Sequence, residues 1–142
     1  MILDDYLELA DGQSSTTSVA STNVVNTVAA GDAYEGEFFL VRIDTAFVAA
    51  NGAPTATFQL QTSDQEGFGG VAVTLIQTDA FVAADLAAGK QIAIRIPPGA
   101  KKYLRGYNSC TSTAANFFNA GAWDMYICTD VDTANNQRDL IV

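Results

Sequence analysis

The chain contains no histidine. That absence removes the commonest general base, the commonest zinc ligand and every Ser-His or Cys-His pairing. Cations are scarce: seven Lys and Arg stand against sixteen Asp and Glu, for a net charge of -9. This balance disfavours nucleic acid, whose phosphate backbone calls for a broad basic footprint. No apolar run approaches the roughly 20 residues that span a bilayer. The N-terminal "MILDDYLELADG" has no basic region, apolar core or small-residue cleavage site, so no signal peptide is expected and the chain should be made and assembled in a cytoplasm. The two cysteines, Cys110 and Cys128, are expected as buried, reduced thiols. They would sit near each other if the segments around them formed a hairpin.

What is present points to strands. The 142 residues suit one domain, long enough to bury a core without a metal or disulfide. Hydrophobic residues make up 49% and charged residues only 16%, against roughly 25% charged in an average soluble domain. A surface so poor in charge suits a protein that lies against other proteins. Helical periodicity is absent beyond "LDDYLELADG", which reads as a turn or two of helix or an extended arm. The Ser/Thr/Val-rich stretch after it favours strands and turns. Strand signals then recur over residues 37–47, 55–64, 71–82, 91–97, 102–112 and 120–131. In "TATFQLQTSD", Ala56, Phe58 and Leu60 face one way and Thr57, Gln59 and Gln61 the other, the half-buried antiparallel pattern. The breaks "AANGAP", "DQEGFGG", "DLAAGK", "PPGAK" and "AANFFNAG" are turn-like. Short strands without crossover helices predict an all-β jelly-roll sandwich of roughly eight antiparallel strands, preceded by an extended or short helical N-terminal arm. The expected divisions are an arm over 1–13, the sandwich over 14–131 and a tail over 132–142. "TAFVAANGA" and "DAFVAADLA" echo each other as two similar strand exits, with Phe47 and Phe81 plugging the core.

No catalytic constellation emerges, and no enzyme, metal or cofactor is expected. "GFGG" lacks the helix of a phosphate loop and reads as a turn or bulge. "DVDTANN" has Asn135 and Ile141 where a calcium loop needs Gly and Glu. Carboxylates cluster at the chain ends and in turns, where they serve solubility. Trp123 and Tyr126 are three apart in a strand and so point to opposite faces, which argues against a sugar-stacking platform.

Several pieces, in order, carry a family likeness: "ILDDYLELADGQ", "VASTNVVNT", "ATFQLQTSDQEGF", "LAAGKQIAIRIPPGAKKYLRGYN" and "FFNAGAWDMYI". Together they resemble the jelly-roll cement proteins that decorate the heads of tailed bacteriophages. The most distinctive piece is "PPGAKKYLRGY", followed by an "NAGAW" turn and a final strand; the tail "TANNQRDLIV" departs from the pattern. The resemblance implies a virion protein on the outer surface of the capsid, present in many copies. It would clamp neighbouring subunits of the major capsid protein, pair with itself as a homodimer or homotrimer around local symmetry axes, and do no chemistry.

Two surfaces are candidates for those contacts. Ile2, Leu3, Tyr6, Leu7 and Leu9 give the N-terminal arm apolar area that a solvated tail would not need. Arg95, Lys101, Lys102 and Arg105 put four of the seven cations into eleven consecutive residues. Either they line a strand face and protect a sheet edge, or they form a positive patch aimed at an acidic partner. Two other functions are open: a carbohydrate-binding jelly-roll module, and another virion part such as a tail or fibre domain.

Overall fold

The computed structural model describes residues 7–14, 16–27, 37–113 and 117–128. They form nine strands: β1 (Glu8–Ser14), β2 (Val19–Asn26), β3 (Phe38–Ala49), β4 (Thr55–Ser63), β5 (Val73–Gln77), β6 (Phe81–Val82), β7 (Gln91–Arg95), β8 (Tyr103–Thr111) and β9 (Phe118–Cys128). One single-turn 3-10 helix, Ala83–Asp85, follows β6. All strand pairs are antiparallel. Sheet A runs β1-β9-β3-β7 and sheet B runs β2-β8-β4-β5, with the two-residue β6 added to β4. Setting β6 aside, each sheet has four strands, and the chain passes from one sheet to the other at every step except between β4 and β5, the order of a jelly roll.

Period-two patterning explains which side chains meet between the sheets. Phe39, Val41 and Ile43 of β3, Trp123, Met125 and Ile127 of β9, Ala56, Phe58 and Leu60 of β4, and Leu104 and Cys110 of β8 form one buried cluster. Its aromatic centre is edge-to-face: Phe47 lies 5.0 Å from Phe118 and 6.2 Å from Phe58, which lies 6.2 Å from Trp123. Such pairs add roughly 0.5–1.5 kcal/mol each beyond area burial. Phe81 is half-buried against the same cluster.

Gly121 makes this centre possible. Its φ is +154°, and a Cβ there would lie 2.8 Å from ring carbons of Phe47, which is itself locked in the core. Gly121→Ala is therefore expected to lower stability by about 2–3 kcal/mol. Gly67→Ala, where an added Cβ meets nothing, should stay within about 0.5 kcal/mol of the parent. Thermal unfolding of the two variants checks the contrast; equal effects would remove this account of Gly121.

The structure corrects several expectations. Residues 8–13 are not an arm: they belong to β1, which pairs with β9 from Glu8 opposite Tyr126 to Ser14 opposite Ala122. Leu9 is fully buried and Leu7 packs against the core, so neither is offered to a partner. Ile2, Leu3 and Tyr6 lie outside the described residues, as do "DVDTANN" and the 132–142 tail. The single strand expected over 71–82 is two, β5 and β6, because Thr78 turns inward; its hydroxyl accepts the Phe58 N–H at 3.1 Å. The "NAGAW" turn is strand, since β9 begins at Phe118. Cys110 and Cys128 do not face each other across a hairpin: β8 and β9 lie in different sheets. Both thiols are buried and neither is in a disulfide. Burial pushes the Cys110 thiol up to about 11, despite an opposing hydrogen bond from Asn108.

Candidate functional site

The outward face of sheet B holds the residues best placed to meet a partner. In β8, Leu104, Gly106 and Cys110 point inward, so Tyr103, Arg105 and Tyr107 point out. In β4 the same alternation turns Thr57, Gln59 and Gln61 outward. Register sets Gln61 directly opposite Arg105 and Gln59 opposite both Tyr107 and Gln77. A chain of side-chain hydrogen bonds follows. Arg105 Nε donates to Gln61 Oε1 at 2.8 Å, Gln61 Nε2 to Gln59 Oε1 at 2.9 Å, and Gln59 Nε2 to Gln77 Oε1 at 3.1 Å.

Arg105 is clamped as well as hydrogen-bonded. Its guanidinium carbon lies 4.4 Å from the Phe68 ring centroid and 5.6 Å from that of Tyr107. Phe68 comes from the glycine-rich turn after β4 and sits at φ +53°. That backbone region costs a non-glycine residue roughly 1–2 kcal/mol. Burying a phenylalanine returns roughly 1.5–3 kcal/mol, and Phe68 is only 4% exposed, so packing wins and the turn folds back over the arginine. Burial lowers the Arg105 pKa, with Tyr107 opposing; a guanidinium nonetheless stays charged. Among the described residues its Nη groups take no partner, so the edge of the fork that pairs with carboxylates is open.

The two lysines join this face through a pinned turn. Lys101 N–H donates to Thr62 Oγ1 at 2.7 Å, and the Lys102 carbonyl accepts from Thr27 N–H at 2.8 Å and Thr27 Oγ1 at 2.9 Å. Ile96 and Ala100 anchor the same turn in the core. Lys102 Nζ lies 5.3 Å from the Tyr103 ring centroid. Lys101 Nζ is 3.7 Å from Asp64, but both side chains are well exposed, so the pair contributes at most about 1 kcal/mol.

Of the four clustered cations, the fold therefore gathers three. Lys101, Lys102 and Arg105 lie on or beside the outer face of sheet B. Arg95 belongs to β7 in sheet A, opposite Phe38, and stacks 4.7 Å from that ring on the outer face of the other sheet. The chain crosses between sheets from Arg95 to Lys101, so closeness in sequence becomes separation across the sandwich. Sequence reading missed Phe68 and Gln61. The first looked like part of a polar turn and the second like one more outward strand residue. The register signal that joins Gln61 to Arg105 spans 44 residues.

Among the described residues no group of His, Cys, Asp and Glu is arranged to hold a metal. The face carries a planar cation, amide donors and acceptors, and aromatic rings.

Residues 9–127 match the family model described as Bbp16. A search of curated proteins finds no match.

Proposed function

This chain belongs to the Bbp16 family, and we propose that it is a non-catalytic capsid cement protein of a tailed bacteriophage. In this reading it sits on the outer surface of the head and ties neighbouring major capsid subunits together, with self-contacts around local symmetry axes. The observation that carries the reading is the "PPGAKKYLRGY" block. The resemblance rests most heavily on it, and its cations stand on or beside a half-buried sheet face in a protein of net charge -9. Clamped arginine and tyrosine are the residue types that dominate protein interfaces. A cationic face on an acidic protein selects an acidic partner surface and holds its register. A capsid repeats each contact by symmetry, so modest affinity per site accumulates over the shell.

The test is quantitative mass spectrometry of purified particles of the encoding virus. A ratio to the major capsid protein near one, or a simple fraction of it, is the expected result. A handful of copies per particle would shift the reading to a tail or fibre part. Complete absence from particles would overturn it, and glycan titration of the sheet B face would then take precedence.

A further inference from the structure

Asn51 and Gly52 lie where the chain crosses between the sheets: β3 ends at Ala49 in sheet A and β4 begins at Thr55 in sheet B. The crossing is held at both sides of the pair. Ala50 N–H donates to the Phe117 carbonyl at 3.1 Å, and the Gly52 carbonyl accepts from Thr113 N–H at 3.3 Å and Thr113 Oγ1 at 3.0 Å. Asn51 itself is exposed. Among the described residues, neither its side-chain amide nor the Gly52 N–H has a hydrogen-bond partner. Gly52 turns at φ +77° and has no Cβ, so its nitrogen can be approached closely.

Ser112 completes the arrangement. Its Oγ donates to the Asn51 carbonyl at 3.1 Å and shares the proton with the Gly52 carbonyl at 3.3 Å. The Asn51 carbonyl and the Gly52 N–H belong to one peptide group, whose electrons are delocalised over both. A hydrogen bond to the oxygen draws density from the nitrogen and makes its proton easier to lose. A free carboxamide, an unshielded nitrogen and a donor on the conjugated oxygen thus meet at one exposed turn.

We propose that Asn51 is a site of spontaneous backbone cyclisation and deamidation, with Ser112 as a positioning residue. Hydroxide removes the Gly52 amide proton. The nitrogen attacks Asn51 Cγ, the bond from Cγ to Nδ2 breaks, and ammonia leaves with a proton taken from water. Water then opens the cyclic imide. Attack at the side-chain carbonyl gives aspartate; attack at the main-chain carbonyl gives isoaspartate. Either product adds one negative charge to a chain of net charge -9. Isoaspartate also routes the main chain through an extra carbon, just before the Gly52 carbonyl that Thr113 holds, so the turn should loosen. The proposal concerns the isolated chain and does not depend on the cement reading.

Asn119 is the internal control: it is exposed as well, but it is set in β9 and followed by Ala120. The folded full-length chain is incubated in mildly alkaline buffer, and peptide mass spectrometry follows amide-to-acid conversion at each asparagine. Asn51 is expected to convert at least about tenfold faster than Asn119, with isoaspartate in excess over aspartate. The rate should rise about tenfold per pH unit, following the amide anion. Ser112→Ala should slow it about threefold, and Ser112→Thr should restore it. Conversion of Asn51 no faster than that of Asn119 overturns the proposal. So does aspartate without isoaspartate, since direct hydrolysis would then bypass the imide. An unchanged or faster rate in folded Ser112→Ala removes the serine from the mechanism. The comparison within the parent chain needs no variant, so it decides the site even if Ser112→Ala fails to fold.

Discussion

Arg42→Ala is expected to destabilise the protein by about 3–5 kcal/mol, the cost of leaving a buried charge without its partner. Asp124 in β9 is the charge concerned, with its side chain only 2% exposed. Arg42 stands opposite it in β3 and reaches it twice, Nη2 at 2.7 Å and Nε at 2.9 Å from Oδ2. The other oxygen accepts the Gly12 N–H at 2.5 Å. That third contact depends on an irregularity in β1, where Ala10 faces Met125 but the next register pair is Gln13 with Trp123. Gly12 sits inside the bulge at φ +56°, a region glycine enters without penalty. One carboxylate thus ties three adjacent strands of sheet A.

The two partners are not equivalent. Arg42 is 36% exposed, so on loss of Asp124 its guanidinium can turn to water. Asp124→Ala should then cost about 2–3 kcal/mol, mainly for the stranded Gly12 N–H. The double variant should fall well short of the sum, because the charge stranded by the first change is gone. Urea unfolding of the four proteins measures this. An Arg42→Ala effect below about 1 kcal/mol would mean that Asp124 is better hydrated than its burial indicates.

Under the proposed cement role, Arg105→Glu is expected to weaken binding to decoration-free heads by about a hundredfold, roughly 2.7 kcal/mol. The substitution replaces an open fork by a repelling carboxylate at the centre of the sheet B face. Lys101→Glu with Lys102→Glu should lower affinity less and chiefly slow association, because those charges lie at a rim that salt screens. Arg105→Lys separates charge from geometry. It keeps the cation but loses the planar stack on Phe68 and the fork geometry behind the Nε bond to Gln61, so intermediate binding is expected. Co-sedimentation across a salt series reads all three, with thermal unfolding as the control for folding. Binding by Arg105→Glu that equals the parent at every salt concentration would remove this face from the contact.

How much of this was legible before folding depends on range. The inward and outward sets of β4 and β8 follow from alternation within nine-residue strands, because a strand repeats every two residues whatever its neighbours are. The absence of histidine and the strand-rich composition likewise needed no coordinates to argue for an all-β domain without the usual catalytic pairs. The first turn of the chain failed the same approach. "LELADGQ" has no alternating stripe, since its Asp11-Gly12 bulge shifts the register, and it read as an arm although it is an edge strand. The "NAGAW" segment failed for a related reason: its glycine signals a turn locally, but Phe47 from β3 occupies the space where a side chain would stand.

The basic cluster marks the division most clearly. Sequence alone determined that Arg95, Lys101, Lys102 and Arg105 are neighbours along the chain and that Arg105 shares a strand face with Tyr103 and Tyr107, because those relations are set by chain connectivity and the two-residue strand period. Only the tertiary structure decided that Arg95 is carried to the opposite outer face, that Phe68 folds onto Arg105 and that Gln61 holds it. A jelly roll joins strands distant in sequence, and the free energy that selects their register comes from burying the shared core rather than from any local preference.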